Sequence, residues 1–188
     1  MNKVKKFRNK YRITSPRIPW FDYGSNASYY ITICTKDRKE FFGSIENREM
    51  LFSPIGRIVQ DEWEKTPMIR PELNLIMDKY IIMPNHIHGI IVYNRAVRPV
   101  VGLFVFNRAV RPDGSIKYNR INKFGPQRNN IPSIIRGIKS SVTVRARKIN
   151  PDFGWQSGYY VHIVRNTKDY ERIVKYIKDN PKNYKGKK

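Results

Sequence analysis

Two extended apolar runs separated by only two residues restrict most what this chain can fold into. "LNLIMDKYIIM" (73–83) and "HIHGIIVY" (86–93) are joined by Pro84-Asn85 alone. Runs rich in β-branched and large apolar side chains read as strands, and a two-residue link of turn-forming residues folds them into a tight antiparallel hairpin. A hairpin this apolar is not stable alone in water. It needs further strands beside it and helices against it.

The rest of the chain supplies them. "ASYYITICTK" (27–36) predicts a strand, and "GYYVHIV" (158–164) a short strand or extended segment. Ser53-Pro54 reads as an N-cap followed by proline at the first helical position, and Ile55, Ile58, Val59 and Trp63 follow at helical spacing, so 54–66 reads as a helix. In 133–149, Ile135, Ile138, Val142, Ala146 and Ile149 form one apolar stripe. "NTKDYERIVKYIKDN" (166–180) predicts a last helix, capped by Asn166 or Thr167 and stopped by Pro181. The order β-α-β-β-α-β-α predicts a mixed α+β domain, a ferredoxin-like antiparallel sheet with helices packed on one face. The 188 residues suffice for one domain and one core. We place it at 20–183, after a basic arm (1–19) and before a basic tail (184–188).

Residues 94–130 differ in kind. They hold eight Lys/Arg and one acid, Asp113, and repeat "VYNRAVRP" (92–99) as "VFNRAVRP" (105–112). Two short copies are too few for a solenoid. They read as a tandem duplication that lengthened a flexible basic surface loop, which chains tolerate at small entropic cost.

Charge narrows the partners. Thirty-seven Lys+Arg against 15 Asp+Glu leave a formal net charge of +22. Self-repulsion on that scale calls for a polyanion, and nucleic acid leads. An anionic membrane surface comes second, but no basic helix carries a bulky apolar face. No apolar run approaches the roughly 20 residues of a membrane span, and the basic N-terminus has no apolar segment of a secretory signal behind it. The single Cys34 excludes an internal disulfide and fits a reducing cytoplasm. Arg136, Lys139, Thr143 and Arg147 line one face of the 133–149 helix, either a phosphate-contacting ridge or a solvated face.

Two of the three histidines sit at the start of the second hairpin strand. Alternate residues of a strand point the same way, so His86 and His88 share a face, with roughly 6–7 Å between Cα atoms. Two imidazoles so placed can reach one divalent ion, or they are two polar residues near a turn. The spacing is not that of a zinc finger; an open site with few ligands suits catalysis better than folding. In the last helix, Tyr170, Ile173, Val174 and Ile177 form an apolar stripe. Tyr176 lies to its side, with Asn180 one turn beyond and Asp169 two turns before. Tyr176 is either a boundary residue with its hydroxyl in water or a reactive group. In the second case an amide oxygen from Asn180 completes the metal shell beside it. A phenol there could attack a scissile phosphate and store the bond energy in a phosphotyrosine link.

These stretches resemble a known family. "MPNHIHGIIV" matches the HUH motif (histidine, bulky hydrophobic, histidine) of single-tyrosine transposases of the IS200-like type. "WQSGYYVHIVRNTKDYERIVKYIKDNP" and "SPRIPWFDYGSNASYYITICTKDRKEFFGSI" resemble the end and beginning of the REP-associated tyrosine transposases. The resemblance covers about residues 12–93 and 131–183. It implies an HUH endonuclease fold acting on single-stranded DNA hairpins, as a monomer or homodimer, in the bacterial cytoplasm at the nucleoid. His86, His88 and Asn180 match the ligands of one Mg²⁺ or Mn²⁺, and Tyr176 the nucleophile that leaves a 5′-phosphotyrosine link and a free 3′-OH. The arm residues Lys3, Lys5, Lys6, Arg8, Lys10, Arg12 and Arg17 could serve as the family's guide-reading arm; Arg136, Lys139 and Arg147, on the basic face read from helical spacing, are the other expected DNA contacts. The 94–130 segment is not part of the pattern. The competing expectations are a relative that binds DNA hairpins without cutting them, and a metal-dependent nuclease with no covalent tyrosine.

Overall fold

A computed structural model describes residues 23–93 and 128–184. The arm residues from Lys3 to Arg17, the repeat beyond Tyr93 and the tail 185–188 lie outside the described residues. The elements are β1 (Ala27–Cys34), β2 (Gly43–Glu46), β3 (Glu49–Phe52), α1 (Pro54–Glu64), α2 (Thr66–Ile69), β4 (Leu75–Met83), β5 (His86–Tyr93), α3 (Ile131–Ala146), β6 (Tyr160–Ile163) and α4 (Thr167–Asn183). Four strands make an antiparallel sheet in the order β4-β5-β1-β6, the ferredoxin-like arrangement. The predicted hairpin is present: Met83 pairs with His86 across the Pro84-Asn85 turn. A bulge between Met77 and Tyr80 breaks the β4–β5 register.

Helices α1 and α3 cover one face. Trp63 and Val59 of α1 and Ile134, Ile135, Ile138 and Val142 of α3 bury against Tyr29, Ile31 and Ile33 of β1 and Ile87 and Ile91 of β5. Their placement follows the expectation of helices on one face. Helix α4 is the amendment: it lies on the opposite face. There Tyr170, Ile173 and Ile177 pack on Tyr30, Ile90 and Val92. The reason is in β5, which is buried at every residue. Its second face carries Ile90 and Val92, each stabilised by about 1.5–3 kcal/mol on leaving water, so it also needs a helix over it.

Local chemistry explains the boundaries. Ser53 caps α1, with its hydroxyl accepting from the Gly56 amide at 3.1 Å, as the sequence predicts. Helix α3 starts two residues before the predicted Ser133, because Asn130 and Ser133 form a reciprocal capping box. Ile149 is a correction: it lies past the end of α3 and is 52 % exposed, so the stripe runs from Ile131 to Ala146 instead. Pro181 does not stop α4, which continues to Asn183. A proline this close to the C-terminus costs only a hydrogen bond or so of the final turn, and Tyr184 beyond it is anchored, as shown below. The β2–β3 hairpin has no counterpart in the predicted elements. Its turn uses Asn47 and Arg48, both at positive φ.

An ion-pair group ties α1 to α3. Arg145 bonds Glu62 at 2.7 Å and also reaches Asp61, and Lys65 bonds Glu62 at 2.7 Å. Burial alone would raise the Glu62 carboxyl, but hydrogen bonds from Lys65 and Arg145 outweigh it and hold the group below the ordinary glutamate range. A carboxyl lowered by folding stabilises the fold above its unfolded pKa, and that contribution is lost as pH falls through the folded value. Arg145→Met is therefore expected to cost on the order of 1 kcal/mol near neutrality, since half-exposed Arg145 is screened and Lys65 remains. Thermal unfolding at about pH 7 and about pH 3 should show the gap between the two proteins closing at the acid end.

Candidate functional site

The sheet face under α4 carries the histidines. Antiparallel pairing sets Thr32 opposite His88 and Tyr30 opposite Ile90, so Tyr30, Thr32, His86 and His88 all point toward α4. The two imidazole rings lie 4.5 Å apart by their centroids. Tyr176, on the exposed edge of α4 and 52 % accessible, sets its ring 5.2 Å from that of His88. The Asn180 side chain lies beside His86. The structure thus brings together, within one chain, the four residues singled out from sequence: His86, His88, Tyr176 and Asn180.

Hydrogen bonding fixes the first histidine. The Asn85 amide nitrogen donates to the Arg38 carbonyl oxygen and to the Tyr184 hydroxyl, each at 3.2 Å. This orients the amide, so its oxygen faces His86 Nδ1 at 2.6 Å. A carboxamide oxygen only accepts, so Nδ1 carries the proton and Nε2 keeps a free lone pair. Both rings are neutral at pH 7. Burial first, then the Arg38 charge, lowers His86 to about 4. Burial first, then His86 and Arg38, lowers His88 to about 3.

Two neutral imidazoles and a carboxamide form an N,N,O donor set that fits one divalent cation, with room left for phosphate oxygens and water. Among the described residues no group of three His, Cys, Asp or Glu could hold a metal. Asp169 is engaged elsewhere: it accepts from His162 Nε2 at 2.7 Å and from Arg172 at 2.5 Å.

Along α4 beside Tyr176 and Asn180 lies an open groove of about 520 Å³, lined by Arg172, Lys175, Tyr176, Asp179, Asn180, Asn183 and Tyr184. Its two cations flank Tyr176, where a phosphate would approach. Tyr170 of α4 and Tyr184 just past its end have partners. Tyr170 donates to Asp78 at 2.6 Å, and Tyr184 donates to Glu40 at 2.6 Å. The proposed ridge on α3 is divided. Arg136 is exposed. Lys139 donates to the Gln156 and Gly158 carbonyls at 2.9 and 2.5 Å, and Arg147 Nε donates to the Phe153 carbonyl at 3.1 Å. Those two side chains therefore hold the 153–158 loop. A second concavity of about 470 Å³ near Arg136 adds Arg70 and Arg128, which sequence periodicity had no means of grouping. Arg38, Tyr30, Thr32 and Asn85 were also missed, because only strand register and the turn bring them to the histidines.

No helix among the described residues is long and apolar enough to cross a membrane. No family model matches the chain. Among solved structures, the fold is similar to a REP-associated tyrosine transposase bound to a REP hairpin, at a TM-score of 0.53 and 16 % identity, covering 96 % of this chain and 73 % of that one. A putative transposase from Deinococcus radiodurans R1 aligns at a TM-score of 0.44 and 15 % identity, over 94 % and 97 % of the two chains. An uncharacterized protein of Haemophilus influenzae (strain ATCC 51907 / DSM 11121 / KW20 / Rd) is 37 % identical over 168 residues, which is 89 % of this chain and 87 % of that protein. At that identity and over that length, the chain belongs to the same family as the Haemophilus influenzae protein.

Proposed function

We propose that the protein is a tyrosine transposase of the REP-associated type, a DNA strand transferase that cuts and rejoins single-stranded DNA at hairpins. The observation that carries this reading is the approach of one exposed phenol, Tyr176, to a neutral histidine pair in the same chain. A structural role would not need that phenol at the mouth of a cation-lined groove. The resemblance in sequence, and a fold shared with a transposase bound to a REP hairpin, support the same reading.

His86, His88 and Asn180 would hold one Mg²⁺ or Mn²⁺, which when bound neutralises charge on the phosphate under attack. Arg172 and Lys175 bind the flanking DNA backbone, and the arm and the Arg70, Arg128 and Arg136 concavity suit further phosphates. Tyr176 Oη loses its proton to solvent and attacks phosphorus in line. The Oη–P bond forms, the P–O3′ bond breaks, and the 3′ oxygen takes up a proton. The product is a 5′-phosphotyrosine and a free 3′-OH, with no net change in bond type. A 3′-OH attacking the same phosphorus reverses the step and rejoins DNA without ATP.

The test is incubation with Mn²⁺ and end-labelled single-stranded hairpins from the repeats that flank the gene, resolved on a denaturing gel. A covalent protein–DNA band that disappears with chelator is expected. Tight binding with no cleavage would instead indicate a hairpin-binding protein, and cleavage with no covalent band a hydrolytic nuclease.

A further inference from the structure

Burial fixes which side of α4 meets the sheet, but not where the helix comes to rest along its own axis. Its buried residues, Tyr170, Ile173 and Ile177, make non-directional apolar contact with Tyr30, Ile90 and Val92. The Tyr176 ring meets His88 and Tyr30 edge-on, contacts worth only about 0.5–1.5 kcal/mol each. A phenol held to one point beside the histidines needs directional bonds elsewhere on its helix.

Two such bonds are present, one toward each end of α4, and both join a phenol to a carboxylate. Tyr170 Oη donates to Asp78 at 2.6 Å, and Tyr184 Oη, at the C-cap, donates to Glu40 at 2.6 Å. Both are short, charge-assisted bonds. They stand roughly 20 Å apart along the helix, from its rise per residue, and Tyr176 lies between them. Asp78 sits in the β4 bulge, where Asp78 and Lys79 stand opposite Ile90 alone. Glu40 belongs to the segment that backs the histidine turn. The Thr35 amide donates to the Asn85 carbonyl, and the Phe42 amide to the Pro84 carbonyl, each at 2.9 Å. Asn85 Nδ2 donates to the Arg38 carbonyl and to Tyr184 Oη, each at 3.2 Å. The end of α4, the 35–42 segment and the Pro84-Asn85 turn therefore form one hydrogen-bonded unit, and His86 follows that turn directly. Of the two anchors, Tyr184–Glu40 is the one that sets α4 against the histidines.

We propose that Glu40 is a positioning residue: by holding the Tyr184 hydroxyl it fixes α4 along its axis relative to the histidine turn, and so sets the Tyr176 ring against His88. Tyr170–Asp78 holds the other end of the helix. This rests on the functional reading above and deepens it, by naming what aligns the nucleophile.

The test uses the full chain and two readings. One is the nuclear Overhauser effect between the Tyr176 and His88 rings, in protein without DNA. The other is the rate of covalent attachment to a labelled hairpin, with hairpin affinity measured beside it. Glu40→Ala and Tyr184→Phe remove the same bond from its two sides. Each is expected to lose most of the ring–ring signal and to slow attachment by about 10–100-fold, the scale expected when a reacting group is misplaced by about an ångström. Near-ultraviolet circular dichroism should stay native. Hairpin affinity of Tyr184→Phe, which changes no charge, should stay within about twofold of the parent. The double variant should be no slower than either single one, because all three lose one and the same bond. Glu40→Gln keeps an accepting oxygen and should recover most of both readings. A ring–ring signal at parental strength in both single variants would overturn the proposal, as would an unchanged attachment rate or losses that add in the double variant. Attachment lost completely in Tyr184→Phe but kept in Glu40→Ala would make Tyr184 the nucleophile and overturn it too. If the parent forms no adduct, the functional reading fails, and the ring–ring signal alone decides whether Glu40 places Tyr176.

Discussion

In the Tyr176→Phe protein, covalent DNA attachment is expected to fall by at least ~10³-fold while hairpin affinity stays within about twofold. The phenylalanine keeps the ring that meets His88 and Tyr30 edge-on, so packing at the site is retained. It removes only the oxygen that would bond to phosphorus. Arg172 and Lys175 in the groove remain, and with them the attraction for the DNA backbone. Adduct yield on a denaturing gel reads the first quantity, and a native gel at fixed salt reads the second. The structure also ranks the substitutes. Tyr170 and Tyr184 donate to Asp78 and Glu40, and these carboxylates, after burial, raise both phenols above the ordinary tyrosine value. An adduct that survives in the variant would move the nucleophile to one of these, against the geometry.

The second large effect is on stability. Gly89 sits between His88 and Ile90, where a Cβ would lie 2.4 Å from Trp63 Cζ2 and 2.8 Å from Cη2. Trp63 is fully buried beneath the sheet, and Tyr80 Cβ closes the other side at 3.0 Å. Gly89→Val must therefore push a packed indole or bend β5. Overpacking of this kind costs about 3 kcal/mol or somewhat more, which for a chain this size lowers Tm by roughly 6–12 °C. Thermal unfolding by circular dichroism measures it. Trp63→Leu in the same background should recover part of the loss, because the two sites share one volume. A Tm within 2 °C of the parent, by the same scale, would mean that the strand yields without cost.

The strands, the β4–β5 hairpin and the helices were legible because each is written in local chemistry: apolar runs, a Pro-Asn turn, a Ser-Pro cap and stripes at helical spacing. The β2–β3 hairpin was not, since its turn places Asn47 and Arg48 at positive φ, where a glycine would have marked it. The side of the sheet that α4 covers was not legible either. It depends on β5 being apolar on both faces, which a single strand pattern leaves ambiguous. At the site, strand alternation paired His86 with His88, and helical spacing placed Tyr176 near Asn180. Tyr30 and Thr32 escaped notice because cross-strand register, not sequence distance, brings them to His88 from 58 and 56 residues away. Asn85 read only as a turn residue, although its amide holds His86, Arg38 and Tyr184 together.

Tyr176, Asn180 and Tyr184 stand four residues apart along α4 and its end. The first two face His88 and His86, which stand two residues apart on β5, and Tyr184 bonds Asn85 in the turn before it. Four residues climb ~6 Å along a helix and two climb ~6.6 Å along a strand. The two elements therefore mesh like racks with almost equal teeth. The place of the phenol over the histidines is set by counting residues rather than by fine adjustment of a distance. One residue added between Tyr176 and Asn180 turns the row by about 100° and disengages it. A whole turn added there restores the facing but carries the phenol one tooth past His88. The four-residue interval from Tyr176 to Asn180 thus fixes which histidine each side chain meets.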